Sequence, residues 1–197
     1  GAGVQPIVGC QVSVQFLEPE PGAKPKAPAP LVLLAQSEAG YMNLMKLNSC
    51  LYLDKHGALP EVTLEELERH SEGLICLSGG PDGPVGELLK AGQRPAAEAL
   101  MRRLARSFPD RLYVELQRHP GDGGLPENER LTERGHVEMA YAMNLPLVAT
   151  NDVYFPKTEM YEAHDALICI AEGAYVDQAE PRRRLTAQHY FKSQQEM

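Results

Sequence analysis

The chain has 197 residues, a length expected of one domain or part of one, and enough to bury roughly 70% of its unfolded surface without staples. Hydrophobic residues make up 43% and charged residues 23%, which excludes a mostly disordered chain. Lys and Arg number 19 against 27 Asp and Glu, and the net charge of −8 argues against a broad phosphate-binding surface here. No apolar run approaches the roughly 20 residues of a membrane span, and neither a span nor a signal peptide is expected. Cys10, Cys50, Cys76 and Cys169 form no C-x-x-C pair, and Cys10, Cys76 and Cys169 sit in apolar runs. That usage is expected of reduced thiols in a cytoplasmic protein.

Val4, Ile7 and Val8, then Val12, Val14 and Phe16, alternate well enough for one strand or two over 4–16. Because this strand starts straight after Gly1, Ala2 and Gly3, further N-terminal sequence is expected to precede it. Residues 18–30 carry Pro19, Pro21, Pro25, Pro28 and Pro30, which reads as a surface insertion. Residues 31–35 are a short buried strand. A helix follows from Glu38 to Leu53, with Tyr41, Leu44, Leu47, Asn48 and Leu51 at helical spacing. Thr63 and Glu66 make a capping box that opens a short acidic helix to His70.

The alternation then continues. Residues 74–78 are a strand ended by Gly79 and Gly80. Pro95 sits where a first helical residue belongs, and Leu100, Leu104 and Phe108 mark that helix's apolar stripe. Residues 112–117 are a strand, 127–143 a helix and 145–150 a strand. Thr158 caps a final helix that ends before Gly173, with Met160, Ala163, Leu167 and Ile170 on one face. Short apolar strands alternating with amphipathic helices predict an α/β fold with a mostly parallel sheet. Residues 1–175 form the domain and 176–197 a polar linker, in which Arg182, Arg183 and Arg184 are solvated charge.

In parallel α/β folds, chemistry gathers at the carboxyl ends of the strands. That rule selects Gln11, Gly79, Gly80, Arg118, His119, Asn151 and Asp152. His119 and Asp152 alone among them are strong metal-ligand types, and two ligands are too few for a catalytic metal. Without further signals, His119 reads as a loop residue and the 151–152 pair as an Asx turn. His164, Asp165 and Glu162 on the last helix, His136 and Glu138 on another, and His56 and His70 near loops are weaker candidates. The run from Gly79 to Pro84 lacks the Lys-Ser/Thr ending of a phosphate loop. No G-x-S-x-G elbow occurs.

Five segments occur in an order that resembles a known family: GYMNLMKLNS (40–49), EGLICLSGG (72–80), DRLYVELQRH (110–119), LPLVATNDVYF (145–155) and EAHDALICIAEG (162–173). They resemble the polymerase-and-histidinol-phosphatase (PHP) domain of bacterial DNA polymerase III alpha subunits, across nearly the whole chain. The resemblance implies a distorted (β/α)7 TIM-like barrel whose first strands, with a His-x-His and an Asp-His motif, are missing from this sequence. In metal-binding members those motifs and later strand ends hold a metal cluster that supports phosphoester hydrolysis and, in some polymerases, 3′–5′ proofreading. The ligand positions correspond here to Gln11, Pro30, Gly80 and Tyr154, none of which is a good donor, and to His119 and Asp152, which are intact.

The resemblance therefore implies a degenerate site, with no tightly bound metal, weak zinc or manganese at most, and Mg2+ for the parent polymerase. It implies a fragment of a DNA-directed DNA polymerase, a nucleotidyltransferase of DNA replication, in which this domain is a scaffold and docking surface. The partners implied are the rest of the alpha chain, whose palm follows residues 176–197, and a proofreading exonuclease subunit, with DNA reached through the parent protein only. The alternatives are a working phosphoesterase or 3′–5′ exonuclease, and a histidinol-phosphatase-like enzyme. With the metal gone, the Asp152 carboxylate is expected to be held within its own turn, or by Arg118 or His119, with Asn151 as a further rim partner.

Overall fold

The computed structural model describes residues 3–17, 27–53, 59–178 and 185–197. Most of the proline-rich stretch, His56 and the three consecutive arginines lie outside the described residues. Six strands and six helices follow in the order β1 (Gly9–Gln15), β2 (Ala29–Ala35), α1 (Glu38–Leu53), β3 (Val62–Thr63), α2 (Leu64–Arg69), β4 (Leu74–Leu77), α3 (Pro84–Lys90), α4 (Arg94–Ser107), β5 (Leu112–Leu116), α5 (Glu127–Met143), β6 (Leu147–Ala149) and α6 (Tyr161–Glu172). The capping box is formed in full: the Thr63 hydroxyl accepts from the Glu66 N–H, and the Glu66 carboxylate accepts from the Thr63 N–H.

The sheet order is β3-β1-β2-β4-β5-β6. It is mostly parallel, as expected, but β2 is reversed and runs antiparallel to both β1 and β4. β4, β5 and β6 are mutually parallel, joined through α3, α4 and α5. β3 and β6 end the sheet, so it is open among the described residues and stays within the α/β class. A single isolated parallel bridge joins Phe155 to Tyr190 outside the sheet.

This topology decides what reaches the rim. The carboxyl ends of β4, β5 and β6 share one edge with the amino end of β2, where Val32 pairs with Leu77. Pro30 thereby abuts Gly79, whose φ of +83° is the left-handed backbone that glycine tolerates. Gln11 does not follow a strand: β1 continues through it to Gln15, and Gln11 pairs with Val32. The core packs Leu31, Leu33, Leu47, Met101, Phe108 and Leu112 between sheet and helices.

α6 departs most from expectation. A 3-10 turn at Thr158–Met160 precedes it, and the helix proper starts at Tyr161 with Met160 as its cap residue. Its buried residues are Asp165 and Cys169, while Met160, Leu167 and Ile170 face outward.

Candidate functional site

Leu112 and Val114 of β5 point into the core, and strand alternation turns Glu115 and Gln117 to the opposite face. Glu115 is buried there as a carboxylate. One oxygen accepts from the Gly79 N–H at 3.0 Å, and the other accepts from the Thr150 hydroxyl and the Gln117 amide. The Ser78 hydroxyl in turn accepts from the Glu115 N–H at 2.9 Å. Full hydrogen bonding is what lets a charge sit at such depth. Glu115 thereby ties together the ends of β4, β5 and β6.

Above it lies a cleft of about 200 Å3. Gln11, Pro30, Gly79, Asn151, Asp152 and Tyr154 line it, together with Val32, Asp82, Glu115 and Gln117. Strand-end reasoning and the family positions therefore converge on one place. Gly80 adjoins it with φ +57°, and a Cβ there would press on the Gln117 side chain at 3.1 Å.

His119 sits beside the cleft, 1% exposed. Its Nδ1–H donates to Oε1 of Glu129 at 2.6 Å, and its backbone N–H donates to Oε2 of the same carboxylate at 2.9 Å. Its Nε2 accepts from the backbone N–H of Asp152 at 3.2 Å. The carboxylate on one side and an N–H on the other fix the Nδ1–H tautomer. The ring stacks on His189, with centroids 3.9 Å apart and planes 9° from parallel. His189 Nδ1–H donates to the Asp152 carbonyl at 3.0 Å. Burial, then the neighbouring His119, pushes the pKa of His189 down.

The expected clamp on the Asp152 carboxylate is not formed. The side chain is exposed, and no hydrogen bond joins its carboxylate to a described residue; the bond to His119 comes from its backbone. Exposure removes the desolvation penalty that such a clamp was expected to relieve. Arg118 turns outward and grips Glu133 with two guanidinium nitrogens, holding the Glu133 pKa below the usual carboxylate range. Asn151 faces the C-terminal segment: its amide donates to the Tyr190 carbonyl at 2.6 Å and accepts from Lys192 Nζ at 3.1 Å. Tyr154 presents its ring to the rings of His189 and His164.

The remaining candidates do not line the cleft, although His164 packs on Tyr154, which does. His136 is buried on α5, and burial pushes its pKa down to about 4 against an opposing hydrogen bond to the Thr132 backbone. Glu138 pairs with Arg94 and Arg134 on the surface. His164 packs on Phe155 and Tyr154, and Asp165 is buried on the same helix, whereas Glu162 is exposed. His70 caps the end of α2, its pKa lowered chiefly by burial. Glu115, Glu129 and His189 were not singled out from sequence. A lone acid inside the apolar β5 run was a readable signal for Glu115, whereas Glu129 and His189 sit in polar stretches that carried none.

Among the described residues, most candidate donors at the cleft are taken up by protein groups, and the Asp152 carboxylate is the open one. Both ring nitrogens of His119 are engaged by protein groups, the Glu115 carboxylate has donors on both oxygens, and Gln11, Pro30, Gly80 and Tyr154 offer neither carboxylate nor imidazole. Among the described residues, no group of three or more His, Cys, Asp or Glu is placed to hold a metal ion. No helix among them is long and apolar enough to cross a membrane.

A family model described as the PHP domain matches residues 1–119. The chain is 50% identical over 198 residues to DNA polymerase III subunit alpha of Caulobacter vibrioides, covering 100% of this chain and 17% of that protein. It is 39% identical over 197 residues to the subunit of the same name from Rickettsia bellii, covering 99% of this chain and 16% of that protein. For Pseudomonas aeruginosa the figures are 37% over 205 residues, with 100% and 16% covered. The chain thus spans about a sixth of the length of the curated relatives it matches.

Proposed function

The chain belongs to the PHP domain family, and from that premise we propose that it is the PHP portion of a replicative DNA polymerase III alpha subunit, with a degenerate metal site and a scaffolding role. On this reading the parent protein is a DNA-directed DNA polymerase of bacterial DNA replication, acting in the cytoplasm. The nucleotidyl transfer, with its Mg2+, is carried by residues outside this chain. The PHP portion supports the adjoining polymerase regions and docks a separate proofreading exonuclease.

One observation carries the reading. The imidazole best suited to a metal, His119, donates to Glu129 and accepts from Asp152, so its one ring lone pair closes a bond between two strand ends. A ligand that fastens protein to protein is a structural residue.

The test uses the full-length alpha chain, free of any separate exonuclease subunit, on 3′-labelled single-stranded DNA with Mg2+ or Mn2+. The expected outcome is DNA synthesis on a primed template and no 3′–5′ removal. Degradation that disappears in both His119→Ala and Asp152→Ala would overturn the degenerate-site reading in favour of a working phosphoesterase.

A further inference from the structure

A second and larger cleft, of about 670 Å3, opens beside the ends of β5 and β6. Leu116, Arg118, Asn151, Gln188, Tyr190 and Lys192 line it, and its volume suits a small-molecule ligand. Lys192 is half-buried in the wall. Its Nζ donates to Asn151 Oδ1 at 3.1 Å and lies 5.6 Å from the centroid of the Tyr190 ring. Both partners are neutral, and Lys192 forms no ion pair with a described residue. The carboxylates whose charge acts on it are engaged elsewhere, Glu129 by His119 and Glu196 by Ser193 and the Tyr190 hydroxyl. Burial therefore pushes the pKa of Lys192 down, against the pull of Glu129 and Glu196. Lys90 shows the opposite arrangement in the same fold. Its ammonium reaches Asp82 at 2.9 Å and Glu87 at 2.7 Å, and although burial works against it, these carboxylates hold its pKa up.

We propose that Lys192 is an acylation site that takes its acyl group from a small acyl phosphate, such as acetyl phosphate, held in the cleft by Arg118. Lysine is a nucleophile only as the free amine, and a desolvated lysine with neutral partners reaches that form most readily. Arg118 supplies the contact for the anion: its Nε and Nη2 hold Glu133, while Nη1 donates to no described residue and is open to a phosphate oxygen. In the reaction the Nζ lone pair attacks the acyl carbon. The N–C bond forms, the C–O bond to phosphate breaks, and inorganic phosphate leaves with that electron pair and takes up the proton the nitrogen releases. The product amide keeps an N–H for Asn151 Oδ1 but loses the charge and its cation–π contact with Tyr190. One of the two cations lining the cleft is thereby removed. The surrounding segment stays in place, because the Tyr154 N–H bond to the His189 carbonyl at 2.9 Å and the Phe191 N–H bond to the Phe155 carbonyl at 3.0 Å do not involve the Lys192 side chain.

The experiment incubates the full-length alpha chain with acetyl phosphate, both folded and unfolded in urea, and follows acetylation of each lysine by quantitative peptide mass spectrometry. Acetic anhydride, an uncharged donor, is run in parallel. Lys192 is expected to acetylate at least about threefold faster in the folded chain than in urea, and Lys90 at least about threefold more slowly. Arg118→Ala is expected to cut the acetyl phosphate rate at Lys192 by a similar factor and to leave the acetic anhydride rate there unchanged. Retained protection of Lys90 shows that the variant is folded. A Lys192 rate in the folded chain equal to or below that in urea overturns the proposal. So does an Arg118→Ala variant whose Lys192 reacts with acetyl phosphate as fast as in the parent.

Discussion

The backbone N–H of Asp152 donates to Nε2 of His119 across 3.2 Å, so the two intact candidate positions are joined through the backbone of one and the ring of the other. The bond joins the loop after β6 to the loop after β5. His189 closes it from the other side by stacking on His119 and donating to the Asp152 carbonyl. The rim is thus held by three residues from three separate segments, and the Asp152 carboxylate is the part of this group left in solvent.

Because the contact comes from the Asp152 backbone, the side chain is dispensable. Asp152→Ala is expected to change stability by less than about 0.5 kcal/mol, as for exposed substitutions away from packed features. Denaturant midpoints of parent and variant decide this. A loss of several times that amount would mean that the carboxylate has a structural partner.

Glu129 is predicted to matter far more. Its buried carboxylate accepts from both Nδ1–H and the backbone N–H of His119, and Glu129→Ala leaves two buried donors unpaired. The expected cost is about 2–6 kcal/mol, at roughly 1–3 kcal/mol for each of the two stranded donors. Glu129→Gln, which keeps one acceptor oxygen, should recover part of it. Equal stability of the alanine variant and the parent, by urea unfolding, would show that the pair holds nothing together.

His136 gives the fold an acid sensitivity of known sign. The unfolded imidazole takes up a proton near 6.5, whereas burial holds the folded pKa down to about 4. Between those values the unfolded chain binds a proton that the folded chain does not, so stability falls as pH falls from 6.5 towards 4. The full effect is about 3 kcal/mol, at roughly 1.4 kcal/mol per unit. Urea unfolding of parent and His136→Leu at pH 7 and pH 4.5 should show the parent losing more. Parallel losses would remove His136 as the cause.

Much of this was legible in the sequence, and the failures have physical causes. The capping box at Thr63 and Glu66 is a local motif whose partners lie three residues apart, and it formed as read. Strand-end placement found Gly79, Asn151 and Asp152 of the cleft because side chains just past parallel strands share a rim. Direction was lost at β2: residues 31–35 carry no mark of whether the strand runs with or against its neighbours, and it runs antiparallel to both. The outward turn of α6 was lost because periodicity identifies an apolar face without naming what covers it. His189 was invisible because its role depends on a segment 70 residues from His119 folding back onto the rim.

The central claim is that His119 and its neighbours form a protein-to-protein fastening in place of a metal site. Elemental analysis of the full-length alpha chain, purified by gel filtration without chelators and offered zinc and manganese, tests it most directly. The account predicts well below one zinc or manganese per chain, unchanged in His119→Ala. One or more tightly held ions per chain that are lost in that variant would contradict it.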